Sequence, residues 1–124
     1  MKHTARRLIE AFGYAGAGIG HLIRSQRNAR IHLALTILAI LLALWLKISA
    51  VAWAVLSLTI GLVFLAEALN TAIEAVVDLA SPENHPLAKI AKDTAAGGVL
   101  IAAITAIVVA LFLFLPPLLT LTSP

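Results

Sequence analysis

Three long apolar runs without a formal charge decide what this chain can fold into. They cover Ile31–Leu46, Ile48–Ala66 and Thr94–Leu115. A helix needs about 20 apolar residues to cross a bilayer, and a soluble domain of this size has no interior that could bury three such runs. Because 61% of the residues are hydrophobic and only 12% are charged, lipid must act as the solvent for most of the surface. The sequence predicts an all-α integral membrane protein with three transmembrane helices.

Glycine and proline positions divide the chain into four helices within a single membrane domain, residues 1–124. The N-terminal segment, residues 5–24, is amphipathic, and we expect an interfacial helix that its four glycines weaken and bend. The helices that contain the three spans are predicted over residues 31–46, 48–79 and 86–115. Ser81-Pro82 ends the second of these, Pro86 suits the first turn of the third, and Pro116-Pro117 is expected to end it.

Basic residues are distributed unequally between the ends of the three runs. Six lie before the first run and two in the loop after the second, whereas the opposite side has only Lys47. By the positive-inside rule, the N-terminus and the second loop are cytoplasmic. The net charge of +3 then indicates contact with anionic lipid headgroups, and there is no basic patch that would predict a nucleic-acid partner.

The acidic residues are concentrated in one short part of the chain. Five of the six fall within residues 67–93. At about 100° per residue, helical spacing (i, i+3, i+7, i+11) places four polar side chains on one face, in a stripe roughly 80° wide: Glu67, Asn70, Glu74 and Asp78. Glu67 is expected at the inner edge of the hydrocarbon core, where an ionisable group is costly unless paired and is usually functional. Lys92-Asp93 is expected at the same depth, because it directly precedes the third apolar run.

Simpler interpretations remain open for part of this set. Helix ends and loops are where solvated charges belong, and long basic side chains anchor helices at the interface. A solvated or anchoring role is the favoured interpretation for Asp78, Glu83, Lys89 and His32, and it is open for Lys92.

Two non-enzymatic functions compete with a catalytic one. A proton-coupled small transporter or a channel subunit would use Glu67 as an intramembrane carboxylate, but it predicts acids near mid-bilayer on several helices, or broken helices. A structural assembly protein fits the small residues Gly97-Gly98 but gives no reason for the acidic stripe.

The polar stripe carries a resemblance to a known family. The residues are Glu67-Ala68-Leu69-Asn70-Thr71-Ala72-Ile73-Glu74, then Asp78, His85 and Ala91-Lys92-Asp93 followed by Ala95-Ala96-Gly97. This pattern resembles the signature of the prokaryotic diacylglycerol kinases, small three-span lipid kinases that include the undecaprenol kinases. The resemblance covers nearly the whole chain, from Gly13-Tyr14-Ala15 to the third span.

The resemblance implies an ATP-dependent lipid kinase of the bacterial inner (plasma) membrane, with its N-terminus and active site cytoplasmic. The implied reaction transfers the γ-phosphoryl group of Mg-ATP to the hydroxyl of a lipid alcohol, undecaprenol or diacylglycerol. Three helices from one chain cannot readily enclose ATP, Mg²⁺ and a lipid, so size alone favours an oligomeric bundle. The resemblance implies a homotrimer with sites shared between subunits.

The resemblance also implies a role for each matching residue. Glu67 matches the general base that takes the proton from the lipid hydroxyl, and Glu74 matches a carboxylate ligand of Mg²⁺. Asn70 would orient these groups, Lys92 would neutralise phosphate charge, and Asp93 would position Lys92 or a second metal. Further matches near the nucleotide are Tyr14, Glu83, Asn84 and His85, and further matches near the lipid are Arg7, Glu67 and Ala96.

One position departs from the family pattern. Members often carry a second metal-binding glutamate in a segment S-E-R-N-x-R-I-H, which here reads Ser25-Gln26-Arg27-Asn28-Ala29-Arg30-Ile31-His32. An amide oxygen can ligate Mg²⁺ but brings no charge, so Gln26 is a weaker candidate ligand at this position. The Arg27-Asn28 and Ile31-His32 context, with His85-Pro86-Leu87-Ala88-Lys89, resembles the undecaprenol kinase branch more than the diacylglycerol branch.

Overall fold

The structure, a computed structural model, describes residues Lys2–Ser123 and contains four α-helices in this range. They are α1 (Lys2–Ser25), α2 (Arg27–Leu46), α3 (Ala50–Ala80) and α4 (Pro86–Thr122). The last three are long and apolar enough to cross a membrane. The predicted all-α architecture with three spans and an N-terminal helix is confirmed. The four glycines of α1 do not interrupt that helix.

A single residue in extended conformation separates α1 from α2. Gln26 has φ −103° and ψ 118°, and the Arg30 guanidinium donates a hydrogen bond across this corner to the Arg24 carbonyl (2.8 Å). Leu22 and Ala29, one on each side of the corner, are both buried. Helix α2 begins at Arg27, ahead of the first apolar run, so its first turn includes the basic residues Arg27 and Arg30.

A tight connection joins α2 to α3. Lys47 adopts the left-handed conformation with φ 51°, and the backbone amides of Lys47 and Ile48 return to carbonyls in the last turn of α2. The Ser49 hydroxyl accepts a hydrogen bond from the Ala52 amide (3.2 Å), so α3 begins at Ala50 and not at residue 48. Near this connection, Ala43, Leu56 and Phe114 form a buried apolar cluster that draws on all three spanning helices.

Helices α3 and α4 form an antiparallel hairpin that makes most of the inter-helix contacts, while α2 packs more lightly against both. With 31 and 37 residues, they are about 46 and 55 Å long, well over the roughly 30 Å of a hydrocarbon core. The hairpin therefore extends beyond the bilayer. We call the end at which α2 begins, α3 ends and α4 begins the polar end of the bundle.

The predicted end of the last helix at Leu115 is wrong, because α4 continues through Pro116-Pro117 to Thr122. A proline removes one hydrogen-bond donor and disfavours a helical residue before it, but its fixed φ is compatible with a helix. Among apolar residues, ending the helix would leave more backbone groups without partners than the two prolines do. Leu118 packs against the buried apolar cluster, and the Thr120, Thr122 and Ser123 hydroxyls donate to carbonyls of the last turns.

Candidate functional site

The carboxylate of Glu67 lies on the packing face of α3. The buried residues of this helix are Leu56, Thr59, Val63 and Glu67, at spacings of three and four, so the acid continues a buried stripe. Glu67 is 1% exposed and is the largest fully buried side chain among the described residues. A carboxylate in such a place needs polar partners, because burial of an unpaired charge is costly.

The imidazole of His32 is the group that Glu67 meets. Its Nε2 lies 3.3 Å from Glu67 Oε1, and the ring comes from the second turn of α2. The two atoms are close, but they are not aligned as a hydrogen bond, so Oε1 remains without a hydrogen-bond partner among the residues whose side chains are described, 4–123. The His32 side chain is only 18% exposed. The interpretation of His32 as an interfacial anchor is therefore wrong, since the ring points into the bundle.

The polar stripe continues from Glu67 towards the polar end of the bundle. Asn70 Nδ2 donates a hydrogen bond to Glu74 Oε1 (3.2 Å), and both residues are half-buried. On the same face, Asn70 Oδ1 and Thr71 Oγ1 are buried and have no hydrogen-bond partner among the described residues. A buried polar atom without a partner costs about 1–3 kcal/mol. Together with Glu67 Oε1, three such atoms lie within little more than one turn of α3, and such a concentration is unusual in a native fold.

Two residues of this site were missed at the sequence level. Thr71 stands four residues after Glu67, a spacing that puts its hydroxyl on the same helix face. His32 opens the first apolar run and Glu67 directly follows the second. Because consecutive spans are antiparallel, these positions predict that His32 and Glu67 lie at the same depth in the membrane. This is the sequence signal from which their proximity could have been predicted.

The charged residues of α4 pair differently from the prediction. Lys92 Nζ contacts Asp78 of α3, and Lys89 Nζ contacts Asp93 one turn further along α4. The expectation that Asp93 positions Lys92 is wrong, because residues adjacent on a helix point about 100° apart. Both observed pairs are exposed, and such pairs contribute little stability. Each ammonium can therefore exchange its partner at small cost.

A second group of predicted residues lines a cavity of about 650 Å³ under the α3–α4 connection. His85 is the N-cap residue of α4 there, since its Nδ1 accepts a hydrogen bond from the Leu87 amide (3.1 Å). The cavity brings together three of the four residues matched near the nucleotide and the charged residues of the hairpin: Glu83, Asn84 and His85 with Asp78, Lys92 and Asp93. Their roles remain predictions.

Four predicted residues lie apart from this constellation. Arg7 and Tyr14 stand exposed on α1, and Tyr14 is 77% exposed. Ala96 is exposed on α4. Gln26 is half-buried at the α1–α2 corner, and its side chain makes no capping hydrogen bond. The structure places each on the surface of the single chain without joining it to Glu67 or Glu74.

The oxygen atoms on α3 supply only some of the ligands that a divalent cation needs. Among the described residues, no three His, Asp or Glu side chains come together as a metal site. Mg²⁺, however, is usually held by one or two carboxylates together with substrate phosphates and water. Glu74 supplies one carboxylate, and the unpartnered Asn70 Oδ1 supplies a hard oxygen beside it. The residues present therefore fit an Mg²⁺ that arrives with phosphate.

Comparison with known proteins gives this arrangement a context. The family model described as prokaryotic diacylglycerol kinase matches residues 13–114. A diacylglycerol kinase of Synechocystis sp. is 51% identical over 119 residues, which cover 95% of this chain and 68% of the relative. An undecaprenol kinase of Bacillus subtilis is 38% identical over 117 residues, covering 94% and 95% of the two chains. A diacylglycerol kinase of Escherichia coli (strain K12) is 37% identical over 102 residues, covering 82% and 84%.

These relatives give no support to a transporter or a channel subunit, and the described acids of α3 and α4 lie towards one end of the bundle. A match over most of the chain, at identities well above 30% with relatives that it covers almost fully or by two thirds, settles the classification. The chain belongs to the prokaryotic diacylglycerol kinase family.

Proposed function

We propose that this membrane lipid kinase transfers the γ-phosphoryl group of Mg-ATP to the hydroxyl of a lipid alcohol, at the cytoplasmic face of the membrane. The observation that carries the proposal is a fully buried carboxylate, Glu67, in contact with His32, the residue at the polar end of an apolar cavity between the spanning helices. A carboxylate in this position supports the role of a proton acceptor close to the polar end of a bound lipid.

The cavity has the shape and lining that a lipid chain requires. Its volume is about 350 Å³, and it follows α2 from His32 to Leu42, about 15 Å along the axis. Apart from His32 and two threonines its walls are aliphatic or aromatic, and they include Leu56, Val63, Ala110 and Phe114. His32, the residue at its polar end, is the one that contacts Glu67. An apolar chain in this cavity would direct its hydroxyl at the base.

The polar stripe supplies the remaining chemistry. Glu67 accepts the proton of the lipid hydroxyl as that oxygen attacks the γ-phosphorus and the bond to ADP breaks. Glu74 and Asn70 would hold the Mg²⁺ that accompanies the nucleotide, and the ion, when bound, neutralises charge on the phosphates. Lys92 exchanges Asp78 for a phosphate oxygen and adds a mobile positive charge.

A homotrimer is the proposed assembly, and two observations support more than one chain. On α3, three buried polar atoms lack hydrogen-bond partners among the described residues. In addition, apolar side chains cover the outside of all three spanning helices. A neighbouring copy would cover part of that surface and bring further polar groups to the stripe.

The acceptor is a lipid alcohol of the kind that names the relatives, diacylglycerol or undecaprenol. The test incubates the purified full chain in mixed micelles with radiolabelled ATP and a panel of lipid alcohols. The expected result is Mg²⁺-dependent transfer of label to at least one member, with undecaprenol favoured by the Arg27-Asn28 and Ile31-His32 context. ATP consumption that is indifferent to every added alcohol would contradict the proposal.

The substitution Gln26→Glu tests whether the α1–α2 corner completes the metal site. If the half-buried Gln26 of one chain faces the Glu74 region in the assembly, a carboxylate there adds an anionic ligand and lowers the Mg²⁺ requirement. The measurement is a Mg²⁺ titration of initial rate at saturating ATP and lipid. If Gln26 lies away from the ion, the change affects stability within about ±0.5 kcal/mol, and the two titration curves superimpose.

A further inference from the structure

The proposed reaction gives His32 no chemical role, yet its imidazole contacts the proposed base, Glu67. Glu67 Oε1 lies 3.3 Å from His32 Nε2, and among the side chains that the structure describes, residues 4–123, the imidazole is the one ionisable group within ion-pair distance of this carboxylate. Both side chains are withdrawn from solvent, with 18% and 2% of their surface exposed. His32 also lines the apolar cavity, which Glu67 does not. The ring therefore stands between the cavity and the base.

We propose that His32 is a positioning residue for Glu67, a role that rests on the proposed lipid kinase activity. Its Nε2–H donates to the Glu67 carboxylate and fixes the rotation of that group, so that the other oxygen faces the hydroxyl of the lipid in the cavity. The ring at the same time forms the wall past which the hydroxyl enters.

A carboxylate at this depth needs such a partner. A side chain that carries a base must be held close to its productive geometry, and the neighbouring Asn70 is already engaged with Glu74. The 3.3 Å contact is within hydrogen-bond distance but is not aligned as a hydrogen bond, so the donation we propose requires the ring or the carboxylate to rotate. Hydrogen bonds of catalytic groups commonly tighten only when the substrate is bound.

Three substitutions of His32 separate hydrogen-bond donation from side-chain shape. Glutamine places its side-chain amide nitrogen the same number of bonds from the backbone as Nε2, asparagine places it one bond short, and phenylalanine keeps the ring but cannot donate. We expect His32→Phe and His32→Asn to lower kcat about 10- to 100-fold, the loss of a hydrogen bond to a charged group, and His32→Gln to restore most of it. The KM for ATP should stay unchanged in all three, because the nucleotide lies beyond Glu74.

The readout is kcat and the KM values for ATP and lipid, with melting temperature as a measure of folding. His21→Phe, at an exposed histidine of α1, is the matched control and should behave as wild type. A purely structural role for His32 would give the three variants kcat values that follow their melting temperatures, with no advantage for glutamine, and that result overturns the proposal. If wild type is active and all three variants equal it, the positioning role is also excluded. If wild type transfers no phosphate to any lipid, the proposed function has failed instead.

Discussion

Replacing Glu67 by glutamine is expected to lower turnover by about 10²–10⁴-fold, the contribution of a positioned general base. The amide has the same shape and still fits the buried site, but it cannot accept a proton from the lipid hydroxyl. ATP binding should be almost unaffected, because the proposed site for the nucleotide phosphates lies at Glu74 and beyond. Initial rates at saturating ATP and lipid, together with a nucleotide-binding titration, measure both parts of the expectation.

Stability gives the Glu67→Gln experiment an independent check. A buried neutral amide costs less to desolvate than a carboxylate without a hydrogen-bond partner, so the melting temperature should not fall. Glu10→Gln is the matched control, since this exposed glutamate of α1 pairs with Arg6 and lies outside the site. Turnover of Glu67→Gln within a fewfold of wild type would remove Glu67 from the role of base.

Replacing Glu74 by glutamine should raise the Mg²⁺ concentration for half-maximal rate about 10- to 100-fold, because a charged ligand of the ion becomes neutral. Glutamine keeps an oxygen that can accept the hydrogen bond of Asn70, so the local geometry of α3 is retained. Excess Mg²⁺ should therefore rescue much of the rate. This rescue distinguishes Glu74 from Glu67, whose loss no amount of metal restores.

The measurement is a Mg²⁺ titration at fixed, saturating ATP and lipid for wild type, Glu74→Gln and Glu10→Gln. The wild-type and Glu10→Gln curves should coincide. An unchanged Mg²⁺ dependence in Glu74→Gln would return Glu74 to a solvated position on the helix surface, and the proposed cation site on α3 would then be wrong.

The sequence predicts those parts of the structure that depend on one helix at a time. The length of the apolar runs is enough for the three spans, and the spacing of Glu67, Asn70 and Glu74 is enough to place them on one face of α3. Both follow from the geometry of a single helix, which neighbouring elements do not alter.

The parts that were missed depend on which helices meet and in what rotation. The pairing of His32 with Glu67 requires α2 to turn its second helical turn towards α3. The pairing of Lys92 with Asp78 requires the rotation of α4 against α3. The continuation of α4 past Pro116-Pro117 depends on an apolar environment in which a broken helix costs more than two missing donors. None of these is encoded in local periodicity.

Because α3 runs without interruption from Ala50 to Ala80, helix geometry fixes the height of the proposed base, Glu67, along the bundle. Glu67 lies about 26 Å along the axis from Ala50, and Glu74 lies about 10 Å further on. If the Ala50 end lies at one boundary of a hydrocarbon core about 30 Å thick, the lipid hydroxyl that reacts lies at the opposite boundary. Selection among alcohols then acts on how deeply each one sits and less on the groups around its hydroxyl. If Glu67 is the base, the thickness of the host bilayer becomes a determinant of which lipid is phosphorylated.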